Sequence, residues 1–155
     1  GPDLVIDGVR WSQFFDLLPR STSSAAALAA GHDSRLDGRS WTEVPTDRPI
    51  RHAIEVRNPS FADPSFVDLL QRNDIALVVA DTAGKFPYFD VVTTDFIYIR
   101  LHGDVELYAS GYSDEALDLW ANRIRQWNTD TYVYFDNDIK VKAPGDAIAL
   151  RQRFH

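Results

Sequence analysis

The chain has 155 residues, of which 45% are hydrophobic and 25% are charged, the balance of a single soluble globular domain. The absence of cysteine excludes disulfides, cysteine-bound zinc, iron–sulfur clusters and a cysteine nucleophile, and a formal net charge of −7 disfavours non-specific nucleic-acid binding. Because the sequence shows neither a signal peptide nor an apolar run of about 20 residues, we expect a cytoplasmic protein without a membrane segment.

Residues 1–49 are predicted to form an N-terminal helical segment and a polar connection. Apolar residues recur at helical spacing over residues 9–18, and Pro19 ends the pattern. Residues 21–30 are rich in Ser and Ala, which favours a second helix, with a flexible linker as the alternative. Residues 31–49 have the composition of a polar connection, so we expect one or two helices before the first strand.

Residues 50–155 are predicted to form four βα units, which together with residues 1–49 make one domain. This alternation is typical of an α/β fold whose parallel strands are joined by right-handed crossovers. The predicted strands are residues 50–57, 75–81, 95–102 and 131–137, and the helices after them begin near residues 63, 113 and 144.

The two faces of the predicted strands differ in character. In the third strand, Ile97, Ile99 and Leu101 share one face, whereas Arg100 and His102 share the other. The aliphatic face should meet the helices. Polar groups that collect toward the carboxyl end of the opposite face favour the inside of a barrel over an open sheet covered on both sides. Because a whole barrel needs about 250 residues, we predict half of a TIM-type (βα)8 barrel with four strands.

Ionisable residues at the predicted strand ends are the candidates for catalysis, because ligands of parallel sheets bind beyond the carboxyl ends of the strands. The candidates are Glu55, Asp81, His102 and Asp136. Glu55 or His102 would carry the proton, and the two aspartates would orient it. The same four residues are candidate ligands for a divalent metal, although no local metal motif is present. Structural alternatives are an ion pair within the barrel, helix caps and a hydrogen-bonded histidine in the core.

A second group of residues near the same strand ends suits an anion. The candidates for binding an anionic or phosphate-bearing substrate are Arg57, Arg100, Tyr108, Tyr112, Asn137 and Lys140. Arginine matches phosphate and carboxylate geometry, and the loops after barrel strands commonly hold the substrate. The alternatives are structural ion pairs, a packed aromatic loop and solvated lysines. His52 lies on the helix-facing side of the first strand, which indicates a structural role.

Six short stretches carry a family resemblance. They are RLDGR (35–39), RHAIEVRNPSF (51–61), VADTAG (79–84), YIRLHG (98–103), YASGY (108–112) and YFDND (134–138). From about residue 32 to its end, the chain resembles the YecE-like family, domain-of-unknown-function family seventy-two. The resemblance implies a TIM-type barrel of which this chain is the C-terminal half, the usual N-terminal part being absent. It implies a fold and a site, but no reaction.

Three hypotheses about function remain open at this point. The first is an enzyme of unknown reaction whose acid–base site binds an anionic substrate. The second is a non-catalytic module for nucleic acid or another phosphate polymer, which the net charge does not favour. The third is a truncated chain that is inactive because half of its site is absent. Since an isolated half-barrel exposes strand edges, we also expect self-association or pairing with a missing N-terminal half.

Overall fold

The computed structural model of the protein describes residues 5–154. These residues fall into two units, one formed by Asp7–His52 and the other by residues 5–6 and 53–154. Each unit has its own secondary structure, and the strand-end residues singled out above all belong to the second unit. Within the described part of the chain, every helix is too short or too polar to cross a bilayer.

The unit formed by Asp7–His52 contains two helices, α1 (Gly8–Asp16) and α2 (Thr22–Ala29). Ser21 caps α2, because its hydroxyl accepts from the amide of Ser24 while the Ser24 hydroxyl accepts from the amide of Ser21. The Ser- and Ala-rich stretch is therefore a helix and not a flexible linker. The His52 ring lies 2.8 Å from the carbonyl oxygen of Pro19, which agrees with the structural role expected for it.

Five short strands form the framework of the second unit. They are β1 (His52–Ile54), β2 (Ile75–Leu77), β3 (Val79–Asp81), β4 (Phe96–Leu101) and β5 (Asp130–Phe135). One sheet contains β1 and β2, and a second contains β3, β4 and β5 in that order. Both pairings in the second sheet are parallel. The expectation of an α/β fold with parallel strands is therefore confirmed.

The predicted second strand, residues 75–81, is in fact two strands separated by Val78. The amide of Leu77 donates to the hydroxyl of the buried Thr93, and the amide of Val78 donates to the carbonyl of Ile54. The chain then changes partner, so that β3 pairs with β4. Thr93, in a distant loop, thus accepts the hydrogen bond of the Leu77 amide in place of a neighbouring strand, a contact that a local apolar run cannot reveal.

Three helices complete this unit. They are α3 (Pro64–Arg72), α4 (Asp114–Trp127) and α5 (Ala143–Gln152). Asp63 and Ser113 cap the first two, as the sequence predicts, by accepting a backbone amide with their side chains. The aliphatic face of β4, with Ile97, Ile99 and Leu101, packs in one buried cluster with residues of α4 and α5. The opposite face of β4 is therefore left to carry Arg100 and His102.

Candidate functional site

The structure brings five of the predicted residues together at the carboxyl ends of the strands. Because side chains alternate along a strand, Arg100 in β4 and His102 just after it point to the same side. The amide of Asp136 donates to the carbonyl of Leu101 at 2.8 Å, which sets Asp136 beside this end of β4. Glu55 and Arg57 follow β1 on the chain. We call Glu55, Arg57, Arg100, His102 and Asp136 the charged cluster.

Arg100 bridges the two carboxylates of the charged cluster. One guanidinium nitrogen lies 2.7 Å from Glu55 Oε2, and another lies 2.5 Å from Asp136 Oδ2. Arg57 donates from Nε to the other oxygen of Glu55 at 2.8 Å. The Arg57 guanidinium also lies over the ring of Phe86, 4.9 Å from its centroid. Glu55 is thus the shared acceptor that fixes both arginines.

The surroundings of Glu55 keep it ionised. Burial acts to raise its pKa, but the side chains of His102, Arg57 and Arg100 stabilise the carboxylate and lower the pKa to about 2. A carboxylate with so low a pKa is a poor proton carrier near neutral pH. The geometry therefore favours an electrostatic role for Glu55 over the acid–base role considered from the sequence.

His102 is the fully buried member of the charged cluster, with 0% of its surface exposed. Its Nδ1 lies 2.9 Å from Asp136 Oδ2, and its Nε2 lies 3.6 Å from Glu55 Oε2. Neither ring nitrogen has a hydrogen bond of acceptable geometry. A buried imidazole between two carboxylates, with both nitrogens unsatisfied, is unusual, because buried polar groups are normally hydrogen-bonded.

Tyr108 packs against this histidine. Its ring packs edge-on against the imidazole, with centroids 5.2 Å apart and ring planes at 84°. The Tyr108 phenol also interacts with Arg57. Burial lowers the pKa of Arg57, but Glu55 and Tyr108 raise it, and the net effect is an increase. Of the residues predicted to bind an anion, Arg57, Arg100 and Tyr108 therefore lie together around His102.

Asp81, Tyr112 and Asn137 belong to a different hydrogen-bond network. The Tyr112 hydroxyl donates to Asp81 Oδ2 and accepts from the amide of Gly103, each at 3.1 Å. The amide of Tyr112 and the side chain of Asn137 both donate to Asp146 Oδ2, at 3.2 and 2.7 Å. We call Asp81, Gly103, Tyr112, Asn137 and Asp146 the anchor network, since it ties the loop after β4 to α5.

Burial dominates the electrostatics of the anchor network. It raises the pKa of the Asp81 carboxyl, against the opposing effects of the Ala83 amide and the Tyr112 hydroxyl. It also raises the pKa of the Tyr112 phenol, with the Asp81 carboxylate adding to the increase. The polar atoms of Asp81 thus point to loop residues, which is the behaviour of a structural acceptor.

Lys140 lies apart from both sets of residues. Its ammonium group is 3.3 Å from a carboxylate oxygen of Glu106, and both side chains are well exposed. This matches the alternative of a solvated surface lysine more closely than that of an anion ligand.

The metal hypothesis finds no geometric support in the described residues. Within residues 5–154, no group of three or more His, Asp or Glu converges as a metal-binding set. The space between Glu55 and Asp136 is filled by the guanidinium of Arg100, whose positive charge opposes a cation there. Asp81 lies in the anchor network and not in the charged cluster.

Two residues with evident roles were missed from the sequence. Phe86 supports Arg57, and Asp146 holds both Tyr112 and Asn137. The only available signal for Phe86 was its place in a loop that follows a strand end. Asp146 is an acidic residue in the first turn of a helix. Such residues are usually explained by a favourable interaction with the helix dipole, so the sequence did not single it out.

Comparison with known proteins identifies the class of this α/β chain. Residues 10–155 match the family described as protein of unknown function DUF72. The chain therefore belongs to this family, and the resemblance inferred from the six sequence stretches is confirmed. No curated protein matches the chain.

Two solved structures are similar to the chain. A DUF72 family protein from Thermotoga maritima is 28% identical with a TM-score of 0.61, over 68% of this chain and 46% of that one. A DUF72 family protein from Enterococcus faecalis is 19% identical with a TM-score of 0.60, over 67% of this chain and 47% of that one, a likeness of fold alone. The chain thus matches about half the length of these relatives.

Proposed function

We propose that this chain carries the acid–base and anion-binding site of an enzyme whose substrate is anionic, most simply phosphate-bearing. The observation that carries the proposal is His102, which is fully buried between Glu55 and Asp136 with both ring nitrogens unsatisfied. Burying an unsatisfied polar group lowers the free energy of unfolding, and groups of this kind concentrate at functional sites.

His102 is the proton carrier in this proposal. Asp136 Oδ2 lies 2.9 Å from Nδ1 and would orient the ring once the two groups align into a hydrogen bond. Nε2 is then the nitrogen that exchanges a proton with the substrate, since it lies farther, 3.6 Å, from the nearest carboxylate oxygen. Glu55 remains ionised and holds the arginines in place.

Arg57 and Arg100 would bind the anion. Each is fixed by Glu55 and still partly exposed, so an incoming phosphate can approach the outer side of either guanidinium. Two arginines against two carboxylates leave the charged cluster near neutral, so an incoming anion does not meet a net negative charge there.

The proposed architecture is half of a TIM-type barrel, completed by a second copy or by another barrel half. Supporting observations are the parallel order β3–β4–β5, the collection of polar groups at the carboxyl ends, and relatives of which the chain covers about half. Light scattering after size exclusion checks this directly. We expect a dimer of the chain, and a stable monomer whose strands all exchange amide protons slowly would contradict it.

The alternative of a module for nucleic acid or another phosphate polymer has weaker support. The chain has a net charge of −7, and Lys140, one of the residues assigned to this module, already pairs with Glu106. A polymer needs several basic contacts at once, so an acidic chain offers little of the electrostatic gain that drives such binding.

Titration calorimetry with inorganic phosphate tests the proposal. The substitution Arg100→Lys keeps the charge but loses the bridge to both carboxylates, so we expect about tenfold weaker binding. Arg35→Lys, on an exposed arginine near Asp33, is the matched control and should bind like the wild type. Failure of the wild-type chain to bind phosphate, or equal binding by Arg100→Lys, would contradict the proposal.

A further inference from the structure

Tyr108 adopts a backbone conformation that residues with side chains rarely take. Its φ is +63°, in the left-handed region. The loop holds it there, because its amide donates to the carbonyl of His102 at 2.5 Å and its carbonyl accepts from the amide of Ile139 at 3.1 Å. Glycine would occupy this position without strain. A tyrosine in its place points to a use for the side chain.

The side chain of Tyr108 contacts the buried histidine of the charged cluster. Its ring stands edge-on against His102. Tyr108 is itself only partly buried, whereas His102 is fully buried. The Tyr108 ring is thus a solvent-accessible neighbour of an imidazole that solvent does not reach.

We infer that Tyr108 is a positioning residue of the site, whose ring shields His102 from water. This inference rests on the proposed function, because it names the residue that controls access to the proton carrier. Since both backbone groups of Tyr108 are hydrogen-bonded, rotation of the side chain is the motion that would admit a substrate.

The shielding is measured by carbethoxylation with diethyl pyrocarbonate, which modifies accessible neutral imidazoles and is located by peptide mass spectrometry. In Tyr108→Ala, we expect His102 to react about tenfold faster than in the wild type, because the covering ring is gone. In Tyr108→Phe the ring remains, and the rate should stay within about twofold of the wild type. His32, in the other unit, is the internal reference in each sample.

Phosphate provides a separate readout. If the anion binds beside His102, saturating phosphate should slow the reaction of His102 in Tyr108→Ala, where the ring no longer covers the imidazole. A merely structural tyrosine would not change the access of the reagent to His102. Tyr108→Gly, which relieves the left-handed strain, provides a second shield-free variant should Tyr108→Ala fold poorly.

The outcomes distinguish this inference from the proposed function. If His102 reacts equally fast in the wild type, Tyr108→Ala and Tyr108→Gly, the shield is wrong. If removal of the ring speeds the reaction but phosphate neither binds nor protects His102 in any variant, the shield stands and the proposed function fails.

Discussion

The charged cluster and the anchor network occupy the same end of the strands but use their carboxylates in opposite ways. In the anchor network, Asp81 and Asp146 accept hydrogen bonds from amides and hydroxyls of the adjoining loops. In the charged cluster, Glu55 and Asp136 face arginines and a histidine whose ring nitrogens are unsatisfied. The difference shows that a carboxylate at a strand end is not by itself a sign of chemistry. The groups that its oxygens contact distinguish a functional carboxylate from a structural one.

The largest effect is expected from a substitution at Gly103, which would disrupt the anchor network. Its φ is +127°, and a Cβ there would lie 2.4 Å from the carbonyl oxygen of Glu106, so Gly103→Ala should lower the free energy of unfolding by more than about 3 kcal/mol. Gly145→Ala, in α5 with open space around it, is the control and should stabilise by about 0.5–1 kcal/mol. Urea unfolding measures both. A Gly103→Ala protein as stable as the wild type would show that the loop is held loosely.

The next effect is an acid-dependent loss of stability in the charged cluster. The folded pKa of Glu55 is about 2, against an ordinary value of 4.5. Because the folded pKa is lowered, Glu55 stabilises the fold above pH 4.5, by about 3 kcal/mol, and this contribution is lost as the pH falls toward 2.

The substitution Glu55→Gln checks this linkage by urea unfolding between pH 7 and pH 2. The wild type should lose its advantage over Glu55→Gln across the interval from pH 4.5 to 2. The exposed Glu115 provides the control, since Glu115→Gln should follow the wild type at every pH. A constant difference between wild type and Glu55→Gln over that interval would mean that the arginines do not hold the carboxylate ionised.

A smaller effect is expected where the anchor network holds its loop. Tyr112→Phe removes a hydroxyl that donates to Asp81 and accepts from the buried amide of Gly103. Leaving these groups unpaired should cost about 1–2 kcal/mol of stability. Phosphate binding should remain that of the wild type, because Tyr112 lies outside the charged cluster. A large loss of phosphate affinity with unchanged stability would move Tyr112 into the binding site.

The smallest effect is expected at the exposed ion pair between Lys140 and Glu106, whose charged atoms are 3.3 Å apart. Lys140→Ala should remain within about 0.5 kcal/mol of the wild type in thermal unfolding. Its phosphate affinity should be unchanged as well. Weaker phosphate binding by Lys140→Ala would extend the anion site along the loop after β5.

The convergence of the charged cluster could be predicted from the sequence because two simple rules govern it. Alternation along a strand sets Arg100 and His102 on one side, and parallel pairing brings the carboxyl ends of β4 and β5 to one level. Neither rule depends on the conformation of a loop. The same rules predicted that the aliphatic side of β4 would meet the helices.

What the sequence could not show depends on contacts made by loops. Thr93, 16 residues away along the chain, accepts the hydrogen bond of the Leu77 amide next to the break in the predicted second strand. Asp81 is drawn into the anchor network because the loop after β4 returns Tyr112 to it. The left-handed backbone of Tyr108 likewise follows from hydrogen bonds to His102 and Ile139, which no local pattern encodes.

The most direct test of the central claim follows the imidazole of His102 by NMR while inorganic phosphate is added. If the charged cluster binds an anion next to its proton carrier, the His102 resonances should shift saturably in the wild type and much less in Arg100→Lys. The resonances of His32, which lies in the other unit, should not move. Unchanged His102 resonances at saturating phosphate would contradict an anion site at these strand ends.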